Sequence, residues 1–195
     1  MKPVIFFLLL TLPLLSVAQR GFRLIDKAAN KIEQGKLKKA LEILEKAEHS
    51  NYGFCGLTYT DAYQNIALLR FIIYDSLQEP LKAANTLNKL YYFQGMDLDS
   101  LKMTYYLDVY DKEKLKQQMD TAIEALTPDS TNFREYFYDI TLNVTFADNG
   151  FSISYENIRS LIKRALVIQE KNQHLSFLEA YKLAIREEAF YTLLE

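Results

Sequence analysis

The chain has 195 residues, 49% of them apolar and 25% charged, with a formal net charge of −2. That is enough chain to bury a sizeable core. Its 23 basic and 25 acidic residues are interleaved, which argues against a nucleic-acid footprint.

Met1–Ala18 reads MKPVIFFLLLTLPLLSVA, with Lys2, an apolar run from Val4 to Leu15, and Ser16 and Ala18 as small residues before Gln19. This is the pattern of a signal peptide cleaved after Ala18. The run is shorter than the ~20 residues of a spanning helix, and Pro13 weakens it further. No membrane span is therefore expected once the leader is removed. The Leu-rich run ending in Ala-Gln resembles the leaders of Gram-negative envelope proteins, which implies a periplasmic or secreted location. Loss of Lys2 leaves 22 basic residues against 25 acidic ones in residues 19–195, expected to form a single domain.

Phe22–His49 reads as an antiparallel helical hairpin. Ile25, Ala28, Ala29 and Ile32 recur at the three-and-four spacing of a buried stripe. Gly35 supplies a break, because glycine readily adopts the left-handed conformation that ends a helix. Leu37, Ala40, Leu41, Leu44 and Ala47 repeat the stripe, and lysines and glutamates cover the other face. A small residue at Ala28, the turn glycine, Leu37, then Ala40, Leu44 and Ala47 resemble a tetratricopeptide repeat. Leu24 and Lys31 stand where that family places aromatics, and no proline closes the unit.

Cys55, the single cysteine, has no basic neighbour to stabilise a thiolate, so a small buried residue is expected there. Tyr59–Leu77 places Ala62, Ile66, Leu69, Ile73 and Leu77 on one stripe, with Leu68 and Ile72 beside it. So much apolar circumference predicts burial on two sides. Pro80 opens a further helix over Leu81–Phe93, making a second hairpin over 59–93 whose separation of 43 residues from the first exceeds the family's usual 34. The spacing predicts a third hairpin over 100–126, from Leu101–Tyr110 and Lys112–Leu126 with Leu115, Met119, Ile123 and Leu126 inward. The acids from Asp97 to Glu113 lack the ligand spacing of a calcium loop and read as caps and solvated faces.

From Tyr138 to Phe146 apolar and polar residues alternate, the period of a strand. Asn149-Gly150 is a preferred two-residue turn and predicts a β-hairpin over 138–155, with Phe146 opposite Ile153 and Val144 opposite Tyr155. Helices over 156–171 and 175–194 follow, burying Ile158, Leu161, Ile162, Ala165 and Leu166 in one and Leu178, Tyr181, Ala184, Ile185 and Ala189 in the other. The expected fold is mainly α: tetratricopeptide-like antiparallel hairpins, solenoid-like, with one β-hairpin inserted before the C-terminal helix pair.

Chemistry is sparse. His49 and His174, the only histidines, lie in no metal-ligand spacing, and there is no phosphate-binding glycine loop. No catalytic residue, metal or cofactor is expected. Four Asp-Ser/Thr pairs, at Asp75, Asp99, Asp120 and Asp129, resemble a short motif that some Gram-negative envelope systems O-glycosylate. Helix-start chemistry accounts for such pairs equally well. Asn143-Val144-Thr145 is a formal N-glycosylation sequon.

The repeat resemblance implies a non-catalytic interaction module or accessory subunit of an envelope complex, holding a peptide or protein segment in a helical groove. Ile25, Ala29 and Glu33 would line that groove with Leu68, Ile72 and Asp75. Thr141 marks a strand edge that offers a second docking mode. The rival from another class is a small exported hydrolase using carboxylates from distant segments.

Overall fold

The computed structural model describes residues 20–53, 56–90, 97–127, 142–146 and 149–195. The leader, Cys55, Asp129 and the strand residues before Leu142, Thr141 included, lie outside them. The protein is mainly helical, with one small two-stranded antiparallel hairpin ahead of the C-terminal helices. It comprises two compact units that divide after Glu79.

The first unit holds α1 (20–33), α2 (Leu37–Glu48) and α3 (Gly56–Ser76). Gly35 ends α1 with φ +69°, its N–H bonded to the Ile32 carbonyl and that of Lys36 to Lys31. This paired closure requires a left-handed residue. Gln78 closes α3 in the same way at φ +56°, with bonds to Asp75 and, through Glu79, to Tyr74.

One core joins the three helices. Ala28 of α1, Ala40, Leu44 and Ala47 of α2, and Ala62 and Ile73 of α3 are fully buried in it. The alanines let the helix backbones approach closely. Tyr52 fills the end of this core and donates its hydroxyl to the Ala47 carbonyl at 2.7 Å, capping α2. Its ring meets Phe22 and Tyr59 edge-on, at 5.3 and 5.5 Å between centroids. The Arg70–Glu48 ion pair (2.6 Å) ties α3 to the end of α2.

The second unit begins with α4 (Pro80–Leu87), whose proline sits at the first helical position, where its missing N–H costs nothing. α5 (Leu98–Leu107) and α6 (Lys112–Glu124) are capped by Asp97 and Asp111. The spacing pairs α5 with α6. The structure instead packs α5 mainly on α4 and α6 mainly on β1 (Asn143–Phe146), while β2 (Asn149–Ser152) lies against α4.

The hairpin register also differs from expectation. Val144 pairs with Phe151 and Phe146 with Asn149, so Asn149-Gly150 lies within β2 and is not the turn. The partner shift is even, so the same side chains still face the core. Val144, Phe146, Phe151 and Ile153 are all buried. Side chains from the α4–α5 region explain the choice. The Gly150 carbonyl accepts from Asn88 and from the Tyr106 hydroxyl, and the Ser152 carbonyl accepts from Lys102. With Ile153 bonded to Leu142, these two carbonyls face away from β1, so polar groups close the outer edge of β2.

α7 (Tyr155–Lys171) and α8 (Phe177–Arg186) form the expected antiparallel pair, α8 starting on a Ser176/Glu179 capping box. Leu166, expected inward, is 52% exposed. The helix expected over 175–194 breaks at Glu187-Glu188, and α9 (Ala189–Thr192) resets its phase. Ala189, expected inward, is exposed, while Phe190, Tyr191 and Leu194 are buried.

Two substitutions probe the first core. A Cβ on Gly21 would run into the Tyr52 ring, which burial and its hydroxyl bond hold in place. Gly21→Ala and Ala40→Leu should each cost about 1–3 kcal/mol through overpacking. Lys39→Leu, at an exposed position, should leave the urea midpoint nearly unchanged; equal midpoints for all three variants would overturn this packing.

Candidate functional site

The structure separates the expected groove residues by burial. Ile25 belongs to the three-helix core and is not available to a partner. Ala29 and Leu68 are half-buried, Glu33 and Asp75 are exposed, and Ile72 is 37% exposed. Thr141 is outside the described residues.

α3 carries more apolar surface than its core consumes. Ala62, Ile66 and Ile73 point inward, yet Leu57 is 75% exposed. At 3.6 residues per turn, Leu57, Leu68, Ile72 and Asp75 fall within a sector of about 60°. Asp61 falls inside that sector and Gln64 about 20° outside it. The face is thus apolar with acidic residues among its side chains.

The strongest electrostatic feature is one the sequence hides. Asp99 and Lys102 are both buried, with Lys102 Nζ 2.7 Å from Asp99 Oδ1. Lys102 also donates to the Ser152 carbonyl and lies 5.0 Å from the centre of the Phe151 ring. Asp99 accepts from the Ser154 N–H at 3.0 Å on both oxygens, from the Ser154 hydroxyl at 3.1 Å, and from Asn157 Nδ2 at 2.7 Å. A buried pair persists only when its remaining lone pairs and protons are met, and here they are. Burial lowers the Lys102 ammonium below its ordinary value, although Asp99 pulls the other way.

Asp97 borders this network. Burial disfavours its charge, but hydrogen bonds from the Ser100 and Asn157 side chains and from the Ser100 and Asp99 amides outweigh burial and hold its carboxyl below the usual range. Asp97 supplies the cap of α5. Asp99 is correspondingly not on a solvated face. Lys102 lies four residues from both Leu98 and Tyr106, a lone charge on an apolar stripe, and that spacing was the available signal.

A second polar group lies at the surface between α6, α8 and α9. Lys116 donates to the Tyr191 hydroxyl (3.0 Å) and pairs with Asp120 (3.2 Å), and Tyr191 donates to Asp120 at 2.6 Å. Arg186 and Lys182 meet Glu124 at 2.6 and 3.0 Å. These acids and bases bind one another and fasten the C-terminal helices to α6. The hydroxyls of the described Asp-Ser/Thr pairs bond locally: Ser76 to the Ile72 carbonyl, Ser100 to Asp97, and Thr121 to the Gln117 carbonyl.

Among the described residues no group of three His, Cys, Asp or Glu side chains is placed to hold a metal ion, and no helix is long and apolar enough to cross a membrane. No family model matches the chain, and no curated protein or solved structure matches it.

Lys102→Met would leave Asp99 buried without its cation, and should lower the unfolding free energy by about 3–5 kcal/mol. Lys39→Met breaks only an exposed pair with Glu42 and should cost about 1 kcal/mol or less. Urea unfolding compares them, and similar losses would contradict a central role for the buried pair.

Proposed function

We propose that the protein is an exported, non-catalytic interaction module, an accessory subunit of an envelope complex that holds a peptide or protein segment against α3. The outer face of α3 carries this reading. Apolar side chains there are left exposed although the same helix has a core to fill, and such faces commonly mark interaction sites. Asp61, Asp75 and, on α1, Glu33 add negative charge to that unit's surface, which suits a segment with apolar anchors flanked by Lys or Arg. The tetratricopeptide-like arrangement is part of the proposal. It is supported by the Gly35 turn and the alanine-lined contact of α1 with α2, the spacing on which the resemblance rests. Export is supported by the leader pattern of Met1–Ala18.

Two measurements test this. Cell fractionation and intact mass should find a soluble product beginning at Gln19; retention of Met1–Ala18 in a membrane-bound product would refute export. A photo-crosslinker at Ile72 should join one discrete partner segment in the envelope fraction, whereas one at Lys39 should not. Ile72→Glu should weaken capture of that partner at least tenfold. Crosslinking that is equal at both positions, or absent at Ile72, would refute the α3 face as the docking surface.

A further inference from the structure

Glu188 stands at the break between α8 and α9 and is only 8% exposed. Charged and polar groups from the surrounding elements face it. Asp97 and Asp99 at the start of α5, and the adjacent Glu187, add negative charge. Arg164 of α7 opposes them. From α8 comes the Tyr181 hydroxyl, buried and without a hydrogen-bond partner among the described residues. Lys102 of α5 is already bound to Asp99 and the Ser152 carbonyl.

Arg164 satisfies Glu188 incompletely. Its Nη1 is 3.0 Å from Glu188 Oε1, yet that oxygen receives no aligned hydrogen bond among the described residues, and the same nitrogen donates to the Glu187 carbonyl at 3.4 Å. Arg164 is also 39% exposed, so water screens its charge. Lys102 is bound to Asp99, and Asp97 is exposed. The buried Glu188 carboxylate is therefore opposed only by the partly exposed Arg164, an unfavourable arrangement for a charge where little water reaches. Burial, then Asp97, Asp99 and Glu187, push the Glu188 carboxyl above its ordinary value against the pull of Arg164.

We infer that Glu188 is a proton-operated latch on the C-terminal segment, which closes α9 onto α5 and α8 when the carboxyl is neutral and loosens it when the carboxyl is charged. Glu188 is the residue from which α9 starts, and α9 seats Phe190 against Phe151 at 5.4 Å between ring centres. A buried charge at the residue that precedes it therefore acts directly on that seating. The sign follows from linkage. A carboxyl that titrates higher when folded contributes stability present in full below its unfolded value of about 4.3 and lost as pH rises through the folded value. Acid closes the latch.

The test uses the full mature chain, wild type and Glu188→Gln, between about pH 4.5 and about pH 7.5, spanning the ordinary Glu value and above. Relative to Glu188→Gln, the wild-type folding constant should fall with rising pH, by up to about tenfold per unit between the unfolded and folded values. Amides of 189–195, corrected for intrinsic exchange rates, should lose protection before those of α5. Tyr181→Phe removes the unpartnered hydroxyl but not the charge, so its pH profile should parallel the wild type. A pH-independent difference between wild type and Glu188→Gln would overturn the latch. So would wild-type protection of 189–195 that is unchanged by pH, a measurement that needs no variant to fold.

Discussion

The second unit depends on a buried ammonium-carboxylate pair. Lys102 and Asp99 sit one helical turn apart on α5, and between them they reach β2, the β2–α7 junction and the first turn of α7. Neither could be buried alone, since an unpaired charge in that position costs several kcal/mol. Each therefore constrains the backbone that completes its shell. Lys102 requires the Ser152 carbonyl, and Asp99 requires the Ser154 amide. Together they place the end of the hairpin and the start of α7 against α5.

That constraint helps explain why the hairpin takes its register. Asn149-Gly150 is a good local turn, but a local preference of this kind is worth less than several buried hydrogen bonds. Tyr106, Asn88 and Lys102 reach the outer carbonyls of β2 only when Gly150 and Ser152 lie within the strand. The same network concentrates negative charge around Asp97, Asp99 and Glu188.

The first unit is held by a different principle. Its three helices meet through alanines and a few large aliphatic side chains, with Tyr52 closing one end. Close helix contact leaves little room for the bulk that α3 carries. Leu57 and Ile72 remain outside, while Leu68 is only half covered. The exposed apolar face of α3 is a consequence of how the core was filled.

Much of the helical layout was legible from residue spacing. The α1–α2 hairpin, the Gly35 turn, the buried stripes of α3 and α6, and the α7–α8 pair all follow from apolar residues at three-and-four intervals and from capping chemistry. These are local rules, so the sequence by itself determined them. What only the tertiary structure decided is which elements pair and which polar groups go inside. Ile25 reads equally well as groove or core, because a stripe reports that a face is apolar and not what covers it. The pairing of β1 with β2 and the burial of Lys102 and Asp99 depend on partners roughly 50 residues away along the chain. No local pattern reports such partners, because the free energy of a charge is set by what surrounds it in space.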